Sequence, residues 1–168
     1  MTNKGTRITA KAIIIAAGCG AFGPNRPPLA GIEAYEASSV HYMVARREDF
    51  RGKNIVIAGG GDSAVDWAVS LAELANKIYV VHRRDKFRAA PDMVDKMHAL
   101  AQTGKIEMVV PYQLEGLEGE SPVTSHQSPA LKAVMVKNMD GSLRTLPAEH
   151  LLAFFGLSME LGPIANWG

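Results

Sequence analysis

The apolar positions of the chain form short runs separated by glycine-rich or polar segments. Two of these runs, residues 55–58 and 78–81, are short and rich in β-branched side chains, which is typical of strands buried on both faces of a parallel sheet. Residues 63–75 lie between them and contain no helix breaker. In that segment alanines recur at spacings of three and four, at Ala64, Ala68, Ala72 and Ala75. The pattern predicts a helix packed closely on a sheet and ended by Asn76, so residues 55–81 form one βαβ unit with a right-handed crossover.

The second half of the chain continues the alternation and then changes its pattern. Pro91 suits the first turn of a helix with an apolar face, and Gly104 ends that helix. Residues 106–110 and 151–155 are predicted to be further buried strands. Residues 116–130, GLEGESPVTSHQSPA, are polar and rich in turn formers and predict a loop, whereas residues 131–137 and 142–146 flank Asp140-Gly141 as an antiparallel hairpin.

The two ends of the chain fit this alternation less well. Residues 12–17, AIIIAA, predict another strand buried on both faces, but a Gly- and Pro-rich irregular segment follows instead of a helix. We therefore interpret residues 1–30 as a connection, residues 31–156 as the domain, and residues 157–168 as the start of a return connection. The predicted fold is an α/β, Rossmann-like three-layer domain with a central parallel sheet, flanking helices and an antiparallel hairpin or meander.

Composition narrows the class of protein. The 168 residues are 47% hydrophobic, enough for the core of one domain, and the formal net charge of +1 favours neither nucleic acid nor a membrane surface as a partner. The single cysteine, Cys19, excludes an internal disulfide and any C-x-x-C pair within these residues. With no apolar run approaching the roughly 20 residues of a membrane helix, we expect a soluble, cytoplasmic protein.

The glycine-rich turn of the βαβ unit is the clearest candidate for chemistry. Gly59, Gly61 and Ala64 satisfy the dinucleotide-binding pattern G-x-G-x-x-G/A. The first position permits a tight turn, the second allows a pyrophosphate to approach the backbone, and the third lets helix and strand pack closely. Because the pattern follows a predicted strand and opens a predicted helix, we favour a dinucleotide site over a purely structural turn.

The end of the second strand indicates which dinucleotide binds. A site for NAD places an acid there to hold the ribose 2′-hydroxyl, whereas the 2′-phosphate of NADP requires arginine. This chain has His82, Arg83 and Arg84, followed by Lys86 and Arg88. We therefore predict a 2′-phosphate clamp, with Asp85 orienting an arginine. The alternative is that the arginines are only solvated charges at a strand end.

Other kinds of site are weaker candidates. Gly61-Asp62-Ser63 lacks the second glycine of a hydrolase nucleophile turn, and no ATP-type phosphate loop is present. The four histidines outside the basic triplet do not have metal-ligand spacing, so no metal site is expected; they are His41, His98, His126 and His150. The basic residues around Arg46 lack the interleaved aromatics of a nucleic-acid surface. Asp66 and Trp67 either face the cofactor or merely pack.

The stretch GGGDSAVDWAVSLAELANKIYVVHRRDKFRA resembles the NADPH-binding domain of thioredoxin-reductase-like flavoproteins, in which a GGGDSA-type loop and an HRRDxFRA-type strand end occur together. Residues 12–18 resemble the strand that leaves the FAD domain of such proteins, and residues 151–168 resemble the return to it. Thioredoxin reductases carry a C-x-x-C where this chain has HYMVARREDF, with Met43 and Arg46 near the cysteine positions. The sequence is therefore most similar to the ferredoxin-NADP reductases of thioredoxin-reductase type, which lack the dithiol.

The resemblance implies the roles of individual residues. The pyrophosphate would be cradled by Gly59, Gly60, Gly61, Asp62, Ser63 and Ala64. The 2′-phosphate would be surrounded by His82, Arg83, Arg84 and Arg88. Asp66 matches a position near the nicotinamide, and Gly156 lies at a strand end that the cofactor approaches. No residue is expected to be a catalytic acid, base or nucleophile, and Cys19 is expected to be an incidental thiol.

The resemblance also implies what lies outside this chain. FAD would be held by a separate domain, so these residues alone would bind NADP(H) without turnover. In the intact protein, expected to be a homodimer, the flavin would exchange a hydride with NADPH and electrons with ferredoxin or flavodoxin. Two alternatives stay open: a thioredoxin-reductase-family enzyme with another electron acceptor, and a non-catalytic NADPH-binding module.

Overall fold

The structure is a computed structural model that describes residues 4–14, 16, 21–36, 38–120 and 129–160. The chain divides into two compact units. One comprises Met1–Gly23 and Leu157–Gly168, and the other comprises Pro24–Gly156.

The strands are β1 (Ala21–Pro24), β2 (Val40–His41), β3 (Asn54–Ala58), β4 (Lys77–Val81), β5 (Ile106–Val109), β6 (Tyr112–Glu120), β7 (Ala130–Asn138), β8 (Leu143–Pro147), β9 (His150–Ala153) and β10 (Leu157–Glu160). The α-helices are α1 (Asp62–Leu71) and α2 (Pro91–Gln102), and short 3-10 helices span Ile32–Ala34 and Arg47–Phe50. In the unit formed by the chain ends, β1 pairs with β10, and Ser158 Oγ donates a hydrogen bond to the Gly23 carbonyl at 3.3 Å.

The larger unit is built on a five-stranded parallel sheet with the order β2-β9-β3-β4-β5. Successive side chains of a strand point to opposite faces, and β3 shows the consequence. Ile55 and Ile57 are buried with the helices, whereas Val56 and Ala58 are buried against the antiparallel strands. Both faces are thus covered, which confirms the predicted three-layer α/β fold and the predicted β3-α1-β4 unit.

The alanine stripe is buried as predicted, but α1 is shorter than the pattern indicates. All four alanines are at most 3% exposed, although the helix ends at Leu71. After it the Leu74 and Ala75 amides both donate to the Leu71 carbonyl, so the chain tightens into a turn. The Asn76 amide then donates to Lys53, which directs the chain into β4. The small residues therefore pack through a helix and a turn together.

The antiparallel layer is a three-stranded meander, β6-β7-β8, which confirms the predicted hairpin and extends it. The predicted loop over residues 116–130 is wrong for residues 116–120, which belong to β6. Register shifts between Leu114 and Gly116 and between Glu118 and Gly119 break the regular alternation that would have revealed the strand. Residues 121–128, which include His126, lie outside the described part of the chain.

The predicted strand at residues 12–17 is also wrong where the structure describes it. Ala12, Ile13, Ile14 and Ala16 lie in no strand, and Ile13 and Ile14 are 74% and 91% exposed. A strand buried on both faces requires strands beside it and layers above and below it. The described residues provide neither neighbouring strands nor covering layers for residues 12–14 and 16. Ile15, Ala17, Gly18 and Cys19 lie outside the described residues, as do residues 161–168.

A pair of histidines links β2 to β9, and neither their pairing nor β2 was predicted. His41 Nε2 and His150 Nδ1 are 3.1 Å apart, so one ring donates to the other, and Phe50 contacts both rings edge-on. Burial lowers the pKa of His150 to about 4, with further lowering from His41 and Lys53, while Glu149 and Asp49 oppose it. Burial also lowers the pKa of His41 against the opposing effect of Asp49.

We expect this pair to make the fold less stable in mild acid. The unfolded chain takes up protons near pH 6.5, before the folded chain does, so the stabilisation is complete above that pH and is lost as the pH falls toward 4. Since both rings are partly exposed, we discount the effect to about 1–2 kcal/mol. Urea unfolding at pH 7.5 and pH 5 should show a smaller pH dependence for His150→Gln than for the unmutated chain.

The matched control for this prediction is His98→Gln, because His98 lies exposed on α2. It should leave the pH dependence unchanged. An equal pH dependence in the His150→Gln variant and the unmutated chain would contradict the assignment to the buried pair.

Candidate functional site

The candidate site lies where the carboxyl ends of β3, β4 and β9 meet. The chain passes from β3 to β4 on one side, while β9 is the other neighbour of β3. Gly59 donates its N–H to the Val81 carbonyl at 3.1 Å, and Phe154 donates to Ala58 at 2.8 Å, so the three strand ends are joined. In open parallel sheets ligands bind in the crevice at such a change of direction.

Gly59 begins the turn in a conformation that requires glycine. Its φ is 153°, and a Cβ there would lie 2.7 Å from the Phe154 carbonyl oxygen and 3.0 Å from the Ala64 Cβ. Ala64 is fully buried, as the third position of the pattern requires. The sequence had not identified Phe154, whose backbone excludes any side chain at Gly59.

The next two glycines differ in what surrounds them. A Cβ on Gly60 would lie 2.3 Å from His82 Cε1, whereas a Cβ on Gly61 would meet nothing within 4 Å. Gly61 caps α1, and its carbonyl accepts from the Ala64 and Val65 amides. Within the described residues, the Asp62 and Ser63 amides have no acceptor. They therefore present their N–H groups at the positive end of the helix dipole, which suits a phosphate.

The segment from His82 to Ala90, which we name the basic loop, follows β4. Arg83, Arg84 and Arg88 are exposed, while Phe87 is buried in the core. No carboxylate of the described residues lies within salt-bridge distance of these three guanidinium groups. Asp85, predicted to orient an arginine, therefore does not do so here. The three arginines are available to an anion.

His82 is partly buried, and its ring lies against the glycine turn. Its amide donates to Val109, its ring lies against Phe87 with centroids 5.2 Å apart, and it forms a hydrogen bond with the Lys86 backbone. Burial lowers the pKa of His82, and the positive charges of Arg83, Arg88 and Arg84 lower it further, against the Lys86 bond. A neutral ring at pH 7 shapes the turn but adds no positive charge.

The remaining candidates lie around the same edge. Asp66 is exposed on α1, one turn beyond Asp62, while Trp67 is partly buried in the core, which favours packing for Trp67. Gly156 has φ 83° and follows β9, and its carbonyl accepts from the Asn25 amide at 3.0 Å. Asp66 thus belongs to the helix that the glycine turn opens, and Gly156 follows the carboxyl end of β9, the strand beside β3.

Other kinds of site receive no support from the described residues. No group of three or more His, Cys, Asp or Glu side chains is arranged to hold a metal ion in the described part of the chain. Across the same residues, no helix is long and apolar enough to cross a membrane. A second literal G-x-G-x-x-G spacing occurs at residues 18–23, but Ala21–Pro24 form a strand where a dinucleotide loop would begin its helix. Among the described residues, only the glycine pattern at Gly59 lies between a strand of the parallel sheet and an α-helix.

The parallel sheet, the layers on both of its faces and the glycine turn define a Rossmann-like α/β domain. The family model described as pyridine nucleotide-disulphide oxidoreductase matches residues 1–161. The chain therefore belongs to the pyridine nucleotide-disulphide oxidoreductase family.

Curated relatives agree with this assignment. A ferredoxin–NADP reductase of Paramagnetospirillum magneticum is 58% identical over 165 residues, which are 98% of this chain and 47% of the relative. A ferredoxin–NADP reductase of Rickettsia prowazekii is 56% identical over 167 residues, covering 99% of this chain and 48% of the relative. The chain thus spans about half the length of the curated relatives it matches.

Solved structures show the same fold. Thioredoxin reductase of Giardia duodenalis superposes with a TM-score of 0.69 at 30% identity, covering 81% of this chain and 41% of that one. Thioredoxin reductase of Lactococcus lactis gives a TM-score of 0.74 at 24% identity, covering 88% and 46%, which speaks to the fold alone. The resemblance to thioredoxin-reductase-like flavoproteins inferred from the glycine turn and basic triplet is confirmed.

Proposed function

We propose that this chain is the NADPH-binding part of a flavin-dependent oxidoreductase, and that the whole protein is a ferredoxin–NADP reductase. The observation that carries the proposal is the pairing of two anion sites at one sheet edge. The first-turn amides of α1 suit a pyrophosphate, and the unpaired arginines of the basic loop suit a 2′-phosphate.

The residues present fit an NADP molecule. Gly61 leaves open space where a pyrophosphate must approach the backbone, and the Asp62 and Ser63 amides follow it with no acceptor among the described residues. Arg83, Arg84 and Arg88 would hold the 2′-phosphate through charge-assisted hydrogen bonds. Asp66 and Gly156 would border the nicotinamide half. The nicotinamide supplies the hydride, and the protein supplies binding and orientation.

We assign FAD to a part of the protein outside this chain. The support is that, among the described residues, the only glycine turn followed by an α-helix is the one assigned to NADP. A single cysteine excludes a C-x-x-C pair in this segment, which argues against electron transfer to a disulfide through it. Ferredoxin, named in the curated relatives, is therefore the proposed electron partner of a cytoplasmic, homodimeric whole protein.

The electron partner can be tested with the full-length protein. We expect NADPH-dependent reduction of ferredoxin, followed by its visible absorbance, to exceed reduction of thioredoxin disulfide by at least about tenfold, because no thiol pair lies in this segment to relay electrons. The control is omission of NADPH. Efficient reduction of thioredoxin with no reduction of ferredoxin would assign the chain to a thioredoxin-reductase-family enzyme instead.

A further inference from the structure

The carboxylate of Asp62 joins the two halves of the candidate site. Its Oδ1 accepts a hydrogen bond from the Ala90 amide at 3.0 Å, across 28 residues of sequence. Asp62 opens α1 and Ala90 caps α2, so one side chain connects the first turns of two helices. An unpaired carboxylate beside a bound pyrophosphate would repel it, and the bond gives this charge a defined partner in the basic loop.

Two further contacts fix the same loop to the glycine turn. The Arg88 amide donates to the Gly60 carbonyl at 2.7 Å. The His82 ring fills the space beside Gly60, where an added Cβ would lie 2.4 Å from Nε2. The basic loop is thus held at its start by His82 and at its end by Arg88 and Ala90, while the arginine side chains carry no ion pair with any described residue.

We propose that Asp62 is a positioning residue for 2′-phosphate recognition, which rests on the proposed NADPH site. By holding residues 88–90 against the glycine turn, it sets the position of the Arg88 guanidinium relative to the pyrophosphate-binding amides. The ligands affected are adenine dinucleotides that carry a 2′-phosphate. A dinucleotide without a 2′-phosphate occupies only the pyrophosphate site, so its affinity does not depend on the distance between the two anion sites.

The measurement is the ratio of the NADH and NADPH dissociation constants, obtained by calorimetry on the same preparation. Asp62→Ala removes the acceptor, and we expect the ratio to fall about tenfold, mainly through weaker NADPH binding. Asp62→Asn keeps an oxygen acceptor at the same position and should keep the ratio within about threefold of the unmutated value. Rescue by asparagine separates positioning from a purely electrostatic effect.

A second variant removes the same bond from its other side. Ala90 has φ −56°, which proline adopts, so Ala90→Pro deletes the donor and leaves the Asp62 charge in place. We expect the same fall in the ratio. Asp92→Ala is the matched control. It removes an exposed carboxylate two residues from Ala90, and the ion pair of that carboxylate in the described part of the chain is with Lys96 on α2.

The outcomes are distinguishable. A fall in the ratio for Asp62→Ala and Ala90→Pro, with retention in Asp62→Asn and Asp92→Ala, supports the proposal. If Asp62→Ala lowers both affinities equally, or neither, while the unmutated chain prefers NADPH, the positioning role is wrong and the proposed function stands. An unmutated chain that binds NADH and NADPH equally overturns both.

Discussion

Replacing Arg83 and Arg84 together by alanine is expected to abolish the preference for NADPH over NADH. Both side chains are exposed at the end of β4, and no described carboxylate competes for them. A hydrogen bond to a charged group contributes about 1.5–3 kcal/mol, so losing two should weaken NADPH binding by at least about a hundredfold. NADH lacks the 2′-phosphate and should lose little.

The measurement is calorimetric titration of both nucleotides into the variant and the unmutated chain. The control is the double variant Arg46→Ala with Arg51→Ala, which removes the same amount of positive charge elsewhere. Arg46 pairs with Asp49 and Arg51 pairs with Glu48, both in the 3-10 helix Arg47–Phe50. The control variant should retain the preference for NADPH over NADH. Raising the salt concentration should weaken NADPH binding more than NADH binding. Equal affinities in the unmutated chain would refute the interpretation of the basic triplet.

Gly61→Ala is expected to leave the fold intact and to weaken dinucleotide binding severely. Its φ is −100°, and an added Cβ meets no atom within 4 Å, so the free energy of unfolding should change by less than about 1 kcal/mol. The same Cβ would occupy the position at which a pyrophosphate approaches the backbone. Loss of the amide–phosphate bonds should weaken binding by roughly a hundredfold.

Gly59→Ala provides the contrast. Its Cβ would clash with the Phe154 carbonyl in a left-handed conformation, so we expect about 3 kcal/mol of destabilisation from crowding and strain. Urea unfolding and calorimetry on the two variants should therefore separate stability from binding. Normal nucleotide affinity in Gly61→Ala would show that no ligand approaches this turn.

The parts of the fold that sequence predicts well are local. The segment β3-α1-β4 contains the glycine turn within one βαβ unit, so periodicity and turn chemistry identify both the elements and the pyrophosphate site. The basic loop follows directly, and its arginines could be named from their position after β4. In each case the residues that cooperate are close in sequence or belong to adjacent elements.

The parts that were missed depend on distant partners. β2 has only two residues, too few for a pattern, and it is held by pairing with β9 more than a hundred residues later. Residues 12–17 have the composition of a buried strand, but burial requires neighbours that composition does not reveal. β6 carries two register shifts, which disrupt its alternation. Likewise, the bond from Ala90 to Asp62 joins two helix starts that no periodicity connects.

The antiparallel meander on the face of the sheet opposite the helices offers a practical handle. None of the described candidate site residues belongs to the meander. Its turn at Asp140-Gly141 is exposed: Met139 is 70% exposed and Leu143 is 65% exposed. A fluorophore attached at Met139→Cys in a Cys19→Ser background would sit on an exposed tip of a separate layer. Because this layer contributes no candidate site residue, such a label should leave the affinity for either nucleotide unchanged, so the chain could be attached to a surface through the same position for binding measurements.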